Sequence, residues 1–280
     1  MTAPHTVAVL GLGMIGGSVA RGLAAAGATV AGFDVKSSYL DAAVAEGVVT
    51  HRLPRDLSTL ASAEAVVIAT NGDAAVELVS RIEPFARDLK LVTDVGSTKR
   101  TIVATAEQSG IREIFVGAHP FAGDHRSGWD ASRFDLFERE TVFVCPGPSA
   151  ASESVVMAQA LWTSLGARCV KMDAREHDEL LAWTSHLPHI VSTAFALALA
   201  DAGIVHRQLG RGGRDVSRLA ASSPDLWTAI AIDNRDSLEP ALAAVERRIG
   251  DFRAFLQSAD RAAVNGAFAK GRDWSGPQER

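Results

Sequence analysis

The chain has 280 residues, 47% of them hydrophobic, and a formal net charge of −5. That is enough apolar material for one large core or two modest ones. Lys and Arg are scattered, with no basic field for a nucleic-acid backbone, and the most apolar late run, "IVSTAFALALADAGIV", is too short and interrupted to span a bilayer. The N-terminal "MTAPHTVAVLGLG" has no basic n-region and does not read as a secretory signal. Cys145 and Cys169 sit in apolar, strand-like surroundings and read as buried thiols in a reducing compartment. The expectation is a cytoplasmic protein that binds neither membrane nor nucleic acid.

In chain order, "TVAVLGL" reads as a strand and "IGGSVARGLAAAG" as a helix closed by Gly27. "TVAGFD" and "YLDAAVAEG" repeat the pair, as do "AEAVVIAT" with "DAAVELVSRIEPFA" and "KLVTDV" with "TKRTIVATAEQSG". "IFVGA", "TVFVCP" and "ARCVKM" follow as strands, with the helix "ASESVVMAQALWTSLG" before the last. Such alternation predicts an α/β domain with a parallel sheet and helices on both faces. Pro120 cannot continue a ladder, so the strand before it should end at His119. Beyond Asp173 every segment reads as helix, with a break expected near Pro240 and a tail, "KGRDWSGPQER", expected to fray. The predicted boundary gives a dinucleotide-binding domain over residues 1–173 and an all-α domain over 174–280.

Gly11, Gly13 and Gly16 stand in G-x-G-x-x-G spacing directly after the first strand. The first allows a tight turn, the second a close approach of backbone to a pyrophosphate, the third close packing of helix on strand. The opening of the helix, from Met14 and Ile15, then faces the anion with free N–H groups. Asp34 ends the second strand, placed to accept from a ribose 2′-hydroxyl and to repel a 2′-phosphate, which favours NAD over NADP. Lys36, Ser37 and Ser38 just beyond it would suit a phosphate.

In an open parallel sheet, ligands collect outside the carboxyl ends of the strands. His119 lies at such an end, as does "DVGSTK", which brings Asp94, Ser97 and Lys99 toward the same crevice. Thr70 and Asn71 end another strand and are expected on the nicotinamide side. In the helical half, "SHLPH" spaces Ser185 and His189 one turn apart, with Pro188 opening that turn. Asp215 and Arg218 also fall on one face. His5, His51, His177 and His206 have no supporting context; Trp227 reads as core, and His125 and Arg126 as exposed loop residues.

Together "GLGMIGGS", "DVGSTK", "GAHPFAG", "SHLPH" and "GGRDVSRLAASSPDLW", in this order, resemble the prephenate/arogenate dehydrogenases of tyrosine biosynthesis over about residues 6 to 255. The resemblance implies a Rossmann-type first domain and a helical second domain that forms a homodimer. It implies NAD-dependent oxidative decarboxylation of a cyclohexadiene that carries a ring carboxylate and a C4 hydroxyl. It matches His119 to the catalytic histidine, Ser97 to the hydroxyl-binding serine, and Ser185 and His189 to the helical motif. It matches Arg218 to the carboxylate-gripping arginine, with Asp215 beside it. Asp94 is expected among the cofactor-binding residues. The chain departs from the family pattern at Phe121, at "DHRSG" and at Asn71, which bears on substrate preference. An imidazole with an ordinary pKa near 6.5 suits removal of the hydroxyl proton, and a guanidinium fork suits either substrate carboxylate. Two other readings remain open. A β-hydroxyacid dehydrogenase would need a lysine in the helical half, where none occurs between Lys171 and Lys270. A non-catalytic NAD sensor would need neither His119 nor Arg218.

Overall fold

The computed structural model describes residues 2–123 and 126–276; His125, read above as a loop residue, and the end of the tail lie outside the described residues. The first lobe carries β1 (Thr6–Leu10), α1 (Met14–Ala25), β2 (Thr29–Phe33), α2 (Ser37–Ala45), β3 (His51–Arg52), β4 (Ala65–Ile68) and α3 (Gly72–Ile82). It continues through β5 (Leu91–Asp94), α4 (Arg100–Glu107), β6 (Phe115–Pro120), β7 (Thr141–Pro146), α5 (Ser152–Ser164) and β8 (Arg168–Lys171). The strands form one sheet in the order β3-β2-β1-β4-β5-β6-β7-β8. Residues alternate between the sheet's faces: Val7 and Val9 join one core with Val19, Leu23 and Trp162, while Ala8 and Leu10 join the other with Val66 and Ile68. Both faces are covered, which is why the central strands read as unbroken apolar runs.

Three features depart from the sequence reading. Strand β3 is only two exposed residues long and carries no apolar pattern; it pairs Ala31 with His51 and Gly32 with Arg52. The β6–β7 pair is antiparallel; among the described residues the chain between them forms a single 3₁₀ turn, Trp129–Ala131, and no crossover helix. Strand β6 also runs one residue further than expected, through Pro120. The Ala118 amide points away from β7, toward Asp94, and Pro120 shares that side two residues on, so the ladder to β7 loses no donor. The Phe121 amide then resumes pairing with the Thr141 carbonyl.

The second lobe is helical: α6 (Ala174–Leu181), a π-turn (Ala182–His186), α7 (Leu187–Asp201), α8 (Arg211–Ser217), α9 (Pro224–Asp233), α10 (Arg235–Gln257) and α11 (Arg261–Ser275). The π-turn accommodates Pro188, which has no N–H for an ordinary i−4 bond. The expected break at Pro240 is absent: this exposed proline sits inside α10, where the carbonyl it leaves free faces water. The break falls instead at Asn234, which is wholly buried. The tail is helical to Ser275 rather than frayed. The lobe's buried apolar core is small, with Ala182, Leu187, Leu238 and Ala241 at its centre. Among the described residues no helix is long and apolar enough to cross a membrane. Cys145 and Cys169 are both free, and burial pushes the Cys145 thiol up to about 12.

Candidate active site

The glycine loop between β1 and α1 is built by close approach. Gly11 has φ +100°, and a Cβ there would collide with the Ala69 carbonyl oxygen. A Cβ on Gly16 would collide with the Gly11 carbonyl oxygen. Gly13 differs: its φ is an ordinary −68°, and a Cβ there would meet nothing within 4 Å. No intramolecular contact therefore demands glycine at this position. A side chain there would stand in the open space before α1, whose N-terminus, at Met14 and Ile15, has no side-chain cap. That space suits a pyrophosphate. Asp34, just past β2, accepts from the Leu12 amide at 2.6 Å and the Lys36 amide at 2.7 Å. Its carboxylate thus ties the glycine loop to β2, and its remaining lone pairs are free for ribose hydroxyls. Thr70 lies beside Gly11 with its hydroxyl oxygen buried and unpartnered, and Asn71 is exposed at the N-cap of α3. These residues fit a bound dinucleotide.

At the carboxyl end of β6, His119 is buried. Its Nδ1 lies 2.9 Å from His177 Nε2, and His177 Nδ1 lies 2.8 Å from Asp178 Oδ1. Asp178 also accepts from the Lys99 amide at 2.8 Å and the Arg100 amide at 2.9 Å. Burial opposes its ionisation, yet the hydrogen bonds from His177 and these amides hold its carboxyl below the usual range. The protons in this chain of groups then follow. An ionised Asp178 takes the proton of His177 Nδ1; His177 Nε2 accepts from His119 Nδ1; and His119 Nε2 keeps its lone pair. Burial pushes the His119 pKa well down, with the charges of His177, Lys99 and His186 adding to the effect. His119 is therefore held as a neutral imidazole whose Nε2 can accept a proton.

His177 was set aside in the sequence and proves to be the direct partner of His119. The signal was there in α6 and the turn after it. Ala174, His177, Asp178, Leu181 and Ala182 are all buried, so an imidazole and a carboxylate occupy two places of a core-facing helical stripe.

Asn234 joins the lobes. Its Nδ2 donates to the Asp178 carbonyl at 2.8 Å and to His186 Nδ1 at 3.0 Å, while its Oδ1 accepts from Arg100 at 3.0 Å. His186 must then carry its proton on Nε2, which is buried without a partner. Burial pushes its pKa down to about 4. An imidazole that resists protonation when folded contributes stability that is whole above its unfolded value of roughly 6.5. That contribution drains away as pH falls from there toward about 4. The melting temperature is thus expected to fall across this window, and less steeply in His186→Gln. Parallel calorimetric curves for the two proteins would remove His186 from the account.

The remaining expected residues fall in several places. Ser97, half-buried, lies in the loop after β5, the strand next to β6. Ser185 sits in the π-turn. His189 stacks on Trp227 with ring centroids 3.4 Å apart, so the half-buried Trp227 packs on a candidate substrate-binding residue rather than filling the core. Burial lowers the His189 pKa, against a hydrogen bond to the Leu219 backbone, and Arg218 adds to the lowering. Arg218 is exposed and opens a 3₁₀ turn after α8; among the described residues its guanidinium has no ion-pair partner. Asp215 does not pair with it. The helix brings Asp215 instead to Arg211, at 3.9 Å, where both are largely exposed. Asp94 and Lys99 are also placed differently from expectation. Both are fully buried and paired with each other, and Asp94 further accepts from the Gly96 and Ala118 amides. With its oxygens so committed, Asp94 holds the loop rather than a cofactor.

The two lobes have counterparts among known proteins. Residues 19–171 match the prephenate dehydrogenase nucleotide-binding domain, and residues 173–269 match the prephenate dehydrogenase dimerization domain. The chain belongs to the prephenate dehydrogenase family. It is 31% identical to the prephenate dehydrogenase of Bacillus subtilis over 277 residues, covering 96% of this chain and 75% of that protein. It is 28% identical to the cyclohexadienyl dehydrogenase of Zymomonas mobilis, covering 93% and 91% of the two chains. The Synechocystis arogenate dehydrogenase structure superposes with a TM-score of 0.79 at 26% identity, covering 95% of this chain and 96% of that one. As a member of this family the protein is an NAD-dependent dehydrogenase, its first lobe the nucleotide-binding part.

Proposed function

We propose that this family member oxidatively decarboxylates prephenate or arogenate, with His119 as the base. The observation that carries the assignment is the hydrogen-bond chain from Asp178 through His177, which leaves His119 Nε2 as the acceptor nitrogen. NAD⁺, held by Gly11, Gly13, Gly16 and Asp34, supplies the hydride acceptor. His119 takes the proton of the C4 hydroxyl as C4 gives up hydride, and Ser97 orients that hydroxyl. The ring carboxylate departs as carbon dioxide and the ring becomes aromatic, so much of the driving force resides in the substrate. The protein's task is alignment, which can supply roughly 7–11 kcal/mol. A new positive charge on His119 is met by the Asp178 carboxylate through the His177 ring. Asp34 disfavours a 2′-phosphate and so NADP.

Arg218, with Ser185 and His189, receives a substrate carboxylate. A strong grip on the ring carboxylate would slow its loss, so the side-chain carboxylate is the better partner. Arg218→Ala is expected to raise KM by about 10- to 100-fold, the loss of a charge-assisted hydrogen bond. Unchanged KM with weakened NAD⁺ binding would contradict that role. The second lobe leaves Leu256, Phe268 and Trp274 at least 67% exposed, apolar surface that a partner would remove from water. A homodimer built on this lobe covers them, and a sedimentation mass of a single chain would exclude it. We place the enzyme in the cytoplasm.

The deciding assay follows NADH formation with prephenate and arogenate side by side, each with NAD⁺ and NADP⁺. No NADH from either substrate would sink the reading.

A further inference from the structure

Beneath His119 the sheet splits. Strands β5 and β6 pair at Val92 with Phe115 and at Thr93 with Val116, and no further. Where the next rung would form, the Ala118 amide donates to Asp94 Oδ1 at 3.1 Å. Asp94 Oδ2 accepts from the Gly96 amide at 2.8 Å and from Lys99 Nζ. The lysine stem passes under β6 at Gly117, where a Cβ would come within 3.3 Å of Lys99 Cδ and 3.0 Å of the Cys145 carbonyl oxygen. A Cβ on Gly96 would stand 2.9 Å from Asp94 Oδ2 and 3.4 Å from Lys99 Nζ. The glycines of "GAHP" and "DVGSTK" thus make room for the same ion pair.

Stability alone does not account for it. Two fully buried charges carry a desolvation cost that a well-packed apolar pair of similar volume avoids. What the pair does is geometric. It closes the six-residue stretch from Asp94 to Lys99, which carries Ser97, and it fixes the backbone of β6 one residue before His119.

We propose that Lys99, locked by Asp94, is a positioning residue: it holds β5 and β6 apart beneath His119, fixes the loop bearing Ser97, and sets a buried positive charge behind the imidazole. The inference rests on His119 being the base. Among the described residues the groups facing His119 are His177 from α6 with Asp178 behind it, His186 from the π-turn, and Lys99 with Asp94 from the loop after β5. Within that set Lys99 is the lysine whose charge, after burial and His177, adds to the lowering of the His119 pKa.

The test compares the full-length wild type with Lys99→Met and Lys99→Arg. The His119 imidazole is titrated by NMR in histidine-labelled protein, and the pH profile of kcat/KM and the NAD⁺ Kd are measured alongside. In Lys99→Met, His119 is expected to titrate at higher pH and the acid limb of kcat/KM to move up with it. There kcat falls about 10- to 10²-fold, the cost of a small misplacement, and NAD⁺ affinity holds. Lys99→Arg keeps the wild-type titration. A His119 titration or a kcat that matches wild type in Lys99→Met overturns the proposal. If that variant does not fold, the Asp94→Asn/Lys99→Met pair, which leaves no orphan charge, is judged by the same criteria. If the pair also fails to fold, the ion pair is a stability element and the proposal falls. The NMR titration needs no turnover, so a wild type inactive on both substrates would sink the reaction assigned above while leaving the effect of Lys99 on His119 measurable.

Discussion

His119→Asn is expected to lower kcat by about 10²- to 10⁴-fold, the usual worth of a positioned general base, while NAD⁺ binds as before. Asparagine can still donate to His177 Nε2 from its amide, so the buried hydrogen bond of 2.9 Å has a substitute and the fold should persist. What it cannot do is take a proton from a hydroxyl. The cofactor loop is out of reach of the change, because β1 and β6 are separated in the sheet by β4 and β5. A second signature is the pH profile. Burial, with the charges of His177, Lys99 and His186, holds the His119 pKa well below its ordinary value. The wild-type acid limb of kcat/KM should therefore lie below pH 6.5 or so, with activity present above it and lost as pH falls through it. In His119→Asn that limb should vanish. Stopped-flow and steady-state NADH formation measure the first effect and a pH series the second; an unchanged kcat removes His119 from the mechanism.

The parts of this enzyme visible in the sequence are those where local pattern and global role coincide. The apolar runs of β1, β4 and β5 had to be strands buried on both faces, and the strand–glycine–helix order had to place Gly13 before the N-terminus of α1. His119 was visible because Pro120 and the following glycine mark a strand end, and strand ends in such sheets face the ligand. Where a residue's role depends on a distant partner, local pattern failed. His177 shares the buried stripe of α6 with Asp178, but its partner His119 appears only when the fold brings β6 beside α6. Asp94 looked like a ligand because it ends a strand, yet the split between β5 and β6 turns its carboxylate inward to the Ala118 amide. Asp215 and Arg218 have helical spacing, but the helix ends at Ser217, and Asp215 meets Arg211 instead. Asn234 ends α9 with its side chain in three hydrogen bonds, two within the helical lobe and one to Arg100 of the first, and no periodicity announces that. The antiparallel β6–β7 pair was recoverable, since no helical pattern separates "IFVGA" from "TVFVCP".

Asp178→Asn is expected to be nearly as damaging as loss of His119, although residue 178 touches neither substrate nor cofactor. Oxygen Oδ1 of Asp178 accepts from His177 Nδ1 and the Lys99 amide, and Oδ2 accepts from the Arg100 amide and side chain. An asparagine can place its single carbonyl oxygen on only one of these sides. With the oxygen toward Arg100, the new amide N–H₂ leaves the Lys99 amide without its acceptor, faces His177 Nδ1 and stabilises the opposite tautomer. The His177 Nε2 nitrogen then carries the proton, His119 Nδ1 must accept, and His119 Nε2 becomes a donor that cannot receive the substrate's proton. With the oxygen toward His177, the tautomers survive, but the Arg100 amide and side chain confront a donor. That orientation leaves a buried N–H unpaired, at about 1–3 kcal/mol. The charged Arg100 partner makes the first orientation the favoured one, so kcat should fall by at least about 10²-fold, as tautomer inversion does in other carboxylate–histidine pairs. The melting temperature should drop as well, and NAD⁺ affinity should hold. The ¹⁵N shifts of the His177 and His119 rings report the tautomers directly. If both keep their wild-type proton positions and turnover is intact, the carboxylate is only a tether between α6 and the N-terminus of α4, and the relay assigned to it is wrong.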